Sequence, residues 1–302
     1  MKNHLFQFLL IALAPLAFTA CGGDDGDGSD DNNNSGKAVV SGNIEFPAAK
    51  GGNSIVISHI GKLNDRSGVT GVNYSIEWDT QIHSQRWSCY KMYNTVNANN
   101  TSRYSATNDG SLSPSCQYPN DPDLPEQYRL TTDPFYRSGY DHGHICPSAD
   151  RLSSAEANYQ TFYITNMQPQ ANEFNAGIWQ DMETQVRLWS SKFDTLYVCK
   201  GGTIDKAANI VKYLGSGENK IPVPKYFFMA VVGRTGNKFK GTAFWIDQTY
   251  HPSTTLRGYV VTIGELEQKT GINFFCNLPD DVENEVENVT HLKMQQDWTW
   301  YK

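Results

Sequence analysis

Residues 138–151 read SGYDHGHICPSADR, and this stretch sets the expectations for the rest of the chain. Asp141, His142 and His144 lie within four positions, and Gly143 separates the two histidines. Buried aspartate and imidazole groups need partners, and glycine weakens the interior of a strand. Such a cluster is more typical of a site than of a core strand. The pattern therefore predicts a short strand, bounded by Gly139 and Pro147, that carries functional side chains.

A second informative stretch follows, with NMQPQ at residues 166–170 and FNAGIWQDMETQVR at residues 174–187. On a wheel of about 100° per residue, one apolar stripe forms. Its members are Ile178, Met182, Val186 and Trp189. A polar ridge runs along the edge of that stripe, with members Asn175, Trp179, Glu183 and Arg187. The spacing predicts a helix over residues 172–191 with its back in the core and one flank in a groove. The alternative is an ordinary amphipathic helix with a surface ion pair between Glu183 and Arg187.

Taken together, the two stretches resemble the DNA/RNA non-specific endonuclease family, the ββα-metal nucleases with a D-R-G-H signature. The resemblance runs from about Tyr74 to about Glu287 and rests on the order and spacing of D-H-G-H, N-x-x-P-Q and F-N-x-G-x-W. It implies an α+β fold with a central antiparallel sheet flanked by helices. The mixture of hairpin patterns and separated helices in the sequence favours the same class. One position departs from the family, because His142 stands where arginine is usual.

The resemblance also implies a role for each matched position. It assigns the general base to His144, the metal ligand to Asn175, the ordering of metal-bound water to Glu183 and phosphate contact to Arg187. Asp141 matches the signature aspartate and is expected to be structural. The implied reaction is hydrolysis of DNA and RNA with little sequence preference, leaving 5′-phosphate ends. The implied cofactor is Mg²⁺, for which Mn²⁺ can substitute.

The residue types suit those roles. Imidazole titrates near neutral pH and can take a proton from water. An amide oxygen is a hard, neutral ligand for Mg²⁺, a carboxylate can orient metal-bound water, and arginine grips phosphate with two donors. We expect His142 to contact substrate, with a charge that fades as pH rises, unlike that of arginine. The alternative is that His142 turns away from the groove and fills space.

Two other functions remain open at this point. His142 and His144 form an H-x-H pair on one face of a strand, as in a zinc hydrolase, although zinc sites need about three protein ligands. A non-catalytic surface lipoprotein that binds glycan or protein is the second alternative, and the aromatic content allows it. Tightly bound zinc in the purified protein would favour the zinc hydrolase. Failure to cleave plasmid in Mg²⁺ would favour the non-catalytic lipoprotein.

The amino terminus indicates export. Residues 1–20 carry Lys2 and then an apolar run too short to span a membrane, which predicts a signal peptide. Phe18-Thr19-Ala20-Cys21 resembles the lipobox of bacterial lipoproteins, which implies that Cys21 is lipidated. We expect this lipid to attach the protein to a bacterial membrane, and specifically to the outer membrane. Residues 22–37 lack large apolar side chains and predict a disordered acidic tether. Residues 38–302 are the predicted nuclease domain.

Charge and cysteine content limit these expectations. The net charge of −7 is unusual for a nucleic-acid-binding protein, but without Lys2 and residues 22–37 the balance is 23 basic against 27 acidic residues. A local basic groove is therefore compatible with the sequence.

Besides Cys21, five cysteines remain, and sequence does not fix their pairing. The candidate disulfides are Cys89–Cys116 and Cys199–Cys276, and Cys146 is expected to be a buried thiol rather than a nucleophile.

Overall fold

The computed structural model describes residues 43–107, 116–251 and 255–300. The predicted signal peptide, Cys21 and the acidic tether lie outside these residues. Within the described ranges, no helix is both long and apolar enough to cross a membrane.

The fold is a mixed arrangement of strands and short helices. In chain order the strands are β1 (Ser54–Lys62), β2 (Thr70–Asp79), β3 (Ser84–Met92), β4 (Asp141–His144), β5 (Met167–Gln170), β6 (Thr195–Gly202), β7 (Ile210–Leu214), β8 (Ile221–Pro224), β9 (Tyr226–Thr235), β10 (Lys238–Asp247) and β11 (Val260–Val261). The helices are α1 (Ala155–Gln160), α2 (Asn172–Phe174), α3 (Gln180–Ser190), α4 (Ile263–Thr270), α5 (Asp280–Glu287) and α6 (His291–Asp297).

A seven-stranded antiparallel sheet, in the order β1-β2-β3-β6-β9-β10-β11, forms the centre. Its strands alternate between two buried clusters, as the period of two in a strand requires. In β6, Leu196 and Val198 belong to the cluster that contains the apolar side of α3. Tyr197 and Cys199 belong to the cluster that contains α4. The sheet is therefore covered on both faces, and the predicted α+β class with a central antiparallel sheet is confirmed.

The site-bearing segment is an excursion from this sheet. β3 and β6 are neighbours in the sheet, and the chain between them leaves it and returns. Within the excursion β4 and β5 pair antiparallel, so that Gly143 lies opposite Gln168 and His142 opposite Pro169. A Cβ atom at Gly143 would lie 2.3 Å from Cδ of Gln170. Only glycine fits there, which explains why the two histidines are separated by this residue.

Several sequence predictions for individual elements are confirmed. The hairpins β2–β3 and β9–β10 form as expected. Helix α1 begins after Ser154, whose hydroxyl accepts a hydrogen bond from the backbone N–H of Ala157. The apolar run FYIT at residues 162–165 predicts a buried strand, but this prediction is wrong, because a 3₁₀ turn lies at Ile164–Asn166 and the strand β5 follows it. A short apolar run does not distinguish a buried strand from a buried turn.

The predicted continuous helix over residues 172–191 is also interrupted. A π-helical turn at Asn175–Trp179 separates α2 from α3, and Gly177 has the non-helical angles φ −106° and ψ −115°. Such turns are frequently found at functional sites. The apolar stripe is confirmed, since Ile178, Met182, Val186 and Trp189 are all buried.

The cysteine pairing expected from the sequence is wrong. Cys89 and Cys199 are thiols that lie directly opposite each other on β3 and β6, so neither Cys89–Cys116 nor Cys199–Cys276 forms. The expectation for Cys146 is confirmed, because its side chain is fully buried and burial raises its pKa to about 12. A thiol held in this neutral form is a poor nucleophile.

Candidate active site

Every predicted site residue of the described chain lines one open cleft of about 450 Å³ between β4 and the start of α3. The lining residues are Arg103, Tyr118, Tyr140, Asp141, His142, His144, Pro147, Ser148, Ala149, Asn175, Ala176, Gln180, Glu183 and Arg187. The sequence places these groups in three separate stretches, and the fold brings them to one surface.

His144, on β4, is the candidate base. Its ring packs edge-on against Phe162, with centroids 4.8 Å apart, and its buried Nε2 atom has no hydrogen-bond partner in the described chain. Burial and the nearby charge of Arg103 lower the pKa of His144 to about 3, although a backbone hydrogen bond at His142 opposes the shift. The imidazole is therefore neutral at physiological pH and can accept a proton.

Asn175, in the π-helical turn, is held by the signature aspartate. Its Nδ2 donates to Oδ2 of Asp141 at 3.0 Å, and Nδ2 of Asn172 donates to the same oxygen at 3.0 Å. Because the amide nitrogen is engaged, the amide oxygen of Asn175 is left available as a ligand. An amide oxygen near the carboxylate of Glu183 is a donor set that fits a hydrated Mg²⁺. Asp141 thus orients the side chain of Asn175, which agrees with the structural role expected of it.

Glu183 is paired with a lysine that the sequence reasoning missed. Nζ of Lys200, on β6, lies 2.8 Å from Oε1 of Glu183, and the lysine side chain is fully buried. The ammonium also lies over the ring of Trp179, 4.8 Å from its centroid. Burial raises the pKa of Glu183, and the charge of Lys200 opposes that rise. Trp179, predicted on the polar ridge, is buried instead, because the π-helical turn shifts it from the position that a regular helix would give.

Arg187 is anchored by a different carboxylate. Its Nη1 donates to Oδ1 of buried Asp150 at 2.9 Å, and its Nη2 donates to the hydroxyl of Thr184 at 3.0 Å. Asp150 also accepts a hydrogen bond from the hydroxyl of Tyr90. The alternative of a surface Glu183–Arg187 ion pair is wrong, since each residue has its own partner. Arg187 lines the cleft and retains N–H donors that these two hydrogen bonds do not use, as phosphate contact would require.

His142 lies between two aromatic rings at the edge of the cleft. Its ring stacks on Tyr118, with centroids 3.8 Å apart, and on Phe135, at 4.2 Å. Its Nε2 lies 3.0 Å from Oδ2 of Asp133. Although burial alone would raise the pKa of Asp133, the hydrogen bond and charge of His142 lower it. The side chain is packed and yet lines the cleft, so the alternative in which it turns away from the groove is wrong, and its contact with substrate stays a prediction.

Arg103 is the second residue that sequence reasoning missed. It lines the cleft and lies over the ring of Phe162, 4.8 Å from the centroid. It comes from residues 94–127, a long polar segment before β4 of the kind that is often functional, but no spacing within that segment distinguishes it. Its position supplies a cation to the cleft, in which the signature arginine is replaced by His142.

The zinc alternative finds no support in the geometry. Among the described residues, the one group of His, Cys, Asp and Glu side chains with ligand atoms within 4.8 Å of one another is His59, Asp121 and Asp123. It does not include His142 or His144. Nε2 of His59 already lies 2.8 Å from Oδ2 of Asp121, which also accepts from Thr165. This triad is a possible metal-binding group, but it does not line the cleft.

Comparison with known proteins gives one consistent result. The sequence model of the DNA/RNA non-specific endonuclease family matches residues 62–281. A mitochondrial nuclease EXOG from Xenopus laevis is 25% identical over 221 residues, covering 70% of this chain and 58% of the relative. A nuclease from Syncephalastrum racemosum is 33% identical over 172 residues, covering 52% of this chain and 54% of the relative. The chain thus spans about half the length of these relatives.

A solved structure shares the fold. The chain in a crystal structure of the EndoG/EndoGI complex superposes with a TM-score of 0.58 at 22% identity, covering 75% of this chain and 89% of that one. Another relative, nuclease C1 from Cunninghamella echinulata var. echinulata, is 30% identical over 182 residues, covering 57% of this chain and 71% of the relative.

Proposed function

Because this chain belongs to the DNA/RNA non-specific endonuclease family, we propose that it hydrolyses phosphodiester bonds in DNA and RNA with a divalent cation, Mg²⁺ or in its place Mn²⁺. The observation that carries the proposal is the convergence of His144, Asn175, Glu183 and Arg187 on one cleft. Low base specificity follows if most contacts are made to phosphate. The proposed products carry 5′-phosphate ends.

His144 is the proposed general base. A water molecule attacks phosphorus while the unpaired ring nitrogen takes its proton, and the bond from phosphorus to the 3′ oxygen breaks. A pKa near 3 describes the cleft without an anion. Burial lowers this pKa most and the charge of Arg103 adds to the effect, so a substrate phosphate beside Arg103 would offset only the second of these causes.

The other cleft residues position the phosphate and the cation. The amide oxygen of Asn175 holds the cation, and Glu183 orients its water ligands. The cation, when bound, supplies positive charge that stabilises the phosphate and the leaving oxygen. Arg187 and Arg103 grip the phosphate oxygens, and together they supply the permanent charge that His142 lacks.

The location of this activity is a separate proposal. We propose that the chain is exported and anchored through a lipid on Cys21, with residues 22–37 as the tether. The support is the apolar leader and the Phe18-Thr19-Ala20-Cys21 sequence.

The test is plasmid and RNA cleavage by the purified protein in Mg²⁺, in EDTA, and after the substitution His144→Ala. We expect cleavage in Mg²⁺, none in EDTA, and a loss of turnover of roughly two to four orders of magnitude in the variant. His291→Ala is the matched control, because this histidine is exposed and paired with Glu265 outside the cleft. A folded His144→Ala protein that cleaves at the wild-type rate would refute the assignment. Zinc that survives dialysis would favour the zinc hydrolase instead.

A further inference from the structure

A lysine of the central sheet contacts the wall of the cleft from within the core. Lys200 follows Leu196 and Val198 at every second position of β6, so its side chain lies on the same face of the sheet as theirs. The side chain is fully buried, and its Nζ donates to Oε1 of Glu183 at 2.8 Å. The same ammonium lies over the ring of Trp179. The fold therefore places a fixed positive charge directly behind a carboxylate that lines the cleft.

The charges around Glu183 cancel one another. Burial raises the pKa of Glu183, the ammonium of Lys200 opposes that rise, and the charges of Asp150 and Arg187 act in opposite directions. Arg187 and Asp150 are themselves an ion pair, with nitrogen and oxygen 2.9 Å apart. The carboxylate, the ammonium and this pair together carry no net charge.

The rest of the cleft is balanced in charge as well. Its other charged lining residues are one guanidinium and one carboxylate, those of Arg103 and Asp141. At its edge, Asp133 contacts the ring of one lining residue and Lys212 lies over the ring of another, and these two charges are also opposite. The cleft without substrate therefore has no excess of negative charge that would hold a divalent cation tightly.

A phosphate changes this balance. In proteins Mg²⁺ keeps several of its waters and is usually bound by one or two carboxylates together with substrate phosphates. In this cleft the proposed ligand, the amide oxygen of Asn175, is neutral, and the nearby carboxylate of Glu183 already has Lys200 as its counter-ion. A phosphodiester brings a further negative charge beside this position. Each of the two guests, cation and phosphate, therefore supplies charge that stabilises the other.

We propose that Lys200 lowers the affinity of the substrate-free cleft for a divalent cation, so that the cation binds tightly only together with a phosphate of the polynucleotide. The inference rests on the proposed function, since it concerns the cation of that same site. Lys200 acts through Glu183 and is a positioning residue rather than a catalytic one. Removing its charge should strengthen cation binding, whereas the loss of a merely structural residue would weaken it or leave it unchanged.

The first measurement is Mn²⁺ binding to the wild type near neutral pH, followed by the electron paramagnetic resonance signal of the free ion. It is made without nucleotide, with thymidine 3′,5′-bisphosphate, and with uncharged thymidine, and Mn²⁺ bound by the nucleotide alone is subtracted. The bisphosphate should lower the dissociation constant for Mn²⁺ at least about fivefold, and Mn²⁺ should tighten binding of the bisphosphate by the same factor. Thymidine should have no effect. Equal affinity under all three conditions, or no Mn²⁺ binding under any, would overturn the inference.

The second measurement compares variants without nucleotide. Lys200→Met should bind Mn²⁺ about tenfold more tightly than the wild type, because Glu183 then acts with its full charge. This variant leaves a buried carboxylate unpaired and can unfold, so the lysine charge is also removed from Glu183→Gln, in which no carboxylate is left behind. Glu183→Gln/Lys200→Met should bind Mn²⁺ more tightly than Glu183→Gln. If the folded variants without the lysine bind Mn²⁺ no more tightly than their parents, the inference is wrong.

The matched control is Lys91→Met. Lys91 lies on the neighbouring strand β3, and its Nζ is 3.4 Å from Oε1 of buried Glu45, a lysine–glutamate pair that does not line the cleft. Its removal also leaves a buried carboxylate without its cation. Both the affinity for Mn²⁺ and its response to the bisphosphate should stay as in the wild type, and a gain of affinity in this variant would show that the effect is not specific to Lys200.

Plasmid cleavage in Mg²⁺ is measured in parallel on the wild type. If the wild type cleaves plasmid but its affinity for Mn²⁺ does not respond to the bisphosphate, the inference fails and the proposed function stands. If the affinity responds and rises in the variants without the lysine, yet no plasmid is cleaved, the proposed function fails and the role of Lys200 in cation binding stands.

Discussion

Replacing Lys200 by methionine leaves the carboxylate of Glu183 without its counter-ion. The lysine is fully buried, its Nζ lies 2.8 Å from Glu183, and the glutamate side chain is only 14% exposed. Removing one partner of a buried pair costs about 3–5 kcal/mol, because the remaining charge is neither paired nor solvated. For a domain of this size, that loss lowers the melting temperature by roughly 6–20 °C.

The pH dependence of this loss identifies its cause. Burial already raises the pKa of Glu183, and Lys200 opposes that rise, so the pKa in Lys200→Met is higher still. Folding raises the pKa of this carboxyl, so the folded state binds its proton more tightly than the unfolded state does. The free energy of unfolding therefore decreases as pH rises above about 4.3. The difference in unfolding free energy between wild type and variant should be largest above neutral pH and should narrow as the solution becomes acidic.

The assay is denaturant unfolding of both proteins across this pH range, with Glu183→Gln and the double variant completing a cycle. Because glutamine carries no charge, Lys200→Met should cost less in the Glu183→Gln background. Lys240→Met is the matched control, since Lys240 lies on β10 in a half-exposed pair with Asp297 at 3.3 Å and should cost at most about 1 kcal/mol. A free-energy difference that is constant with pH and additive with Glu183→Gln would refute the reasoning.

Four further predictions concern the cleft and the amino terminus. Asn175→Ala should raise the Mg²⁺ concentration needed for half-maximal cleavage, and an unchanged metal titration would show that Asn175 is not a ligand. Because the pKa of His144 is lowered to about 3, its neutral form persists at every pH above about 5, so kcat/KM should stay high well below the usual histidine pKa and fall only in stronger acid. Because arginine carries a permanent charge, His142→Arg should flatten the alkaline limb of that profile and bind nucleic acid more tightly at moderate salt if position 142 contacts substrate; identical limbs for wild type, His142→Arg and His142→Ala would contradict this. Intact-mass analysis should show acylated Cys21 and fractionation with membranes, and an unmodified Cys21 or a membrane-bound Cys21→Ala would place the anchor elsewhere.

The sequence predicted most of the candidate site because its residues fall in two short stretches with strong local patterns. His144 sits on a strand bounded by glycine and proline, and Glu183 and Arg187 sit four residues apart on a helix. These patterns do not show which side chains pair between elements that are separate in the sequence. Lys200 lies in an apolar strand, and no local feature indicates that its ammonium reaches Glu183.

The remaining errors have a similar origin. Trp179 was misplaced because a uniform helical wheel does not represent a π-helical turn. Cys89 and Cys199 were assigned to other partners because strand register depends on contacts between residues far apart in sequence. Arg103 carried no signal because its segment has neither helical nor strand periodicity.

The excursion between β3 and β6 has a consequence for how the protein acquires its activity. Roughly a hundred residues separate the two strands, and bringing them together costs about 2 kcal/mol more in chain entropy than closing a ten-residue loop. Lys200 lies on β6, the strand that pairs with β3 when the excursion closes, whereas Glu183 lies within the excursion. The Glu183–Lys200 pair spans only 17 residues and can form before β3 and β6 meet. The hydrogen bond from Tyr90 on β3 to Asp150, which anchors Arg187, spans 60 residues and forms when the excursion folds back onto β3. A chain that has not completed this long-range step therefore contains every candidate site residue but lacks part of the contact network that holds them at the cleft.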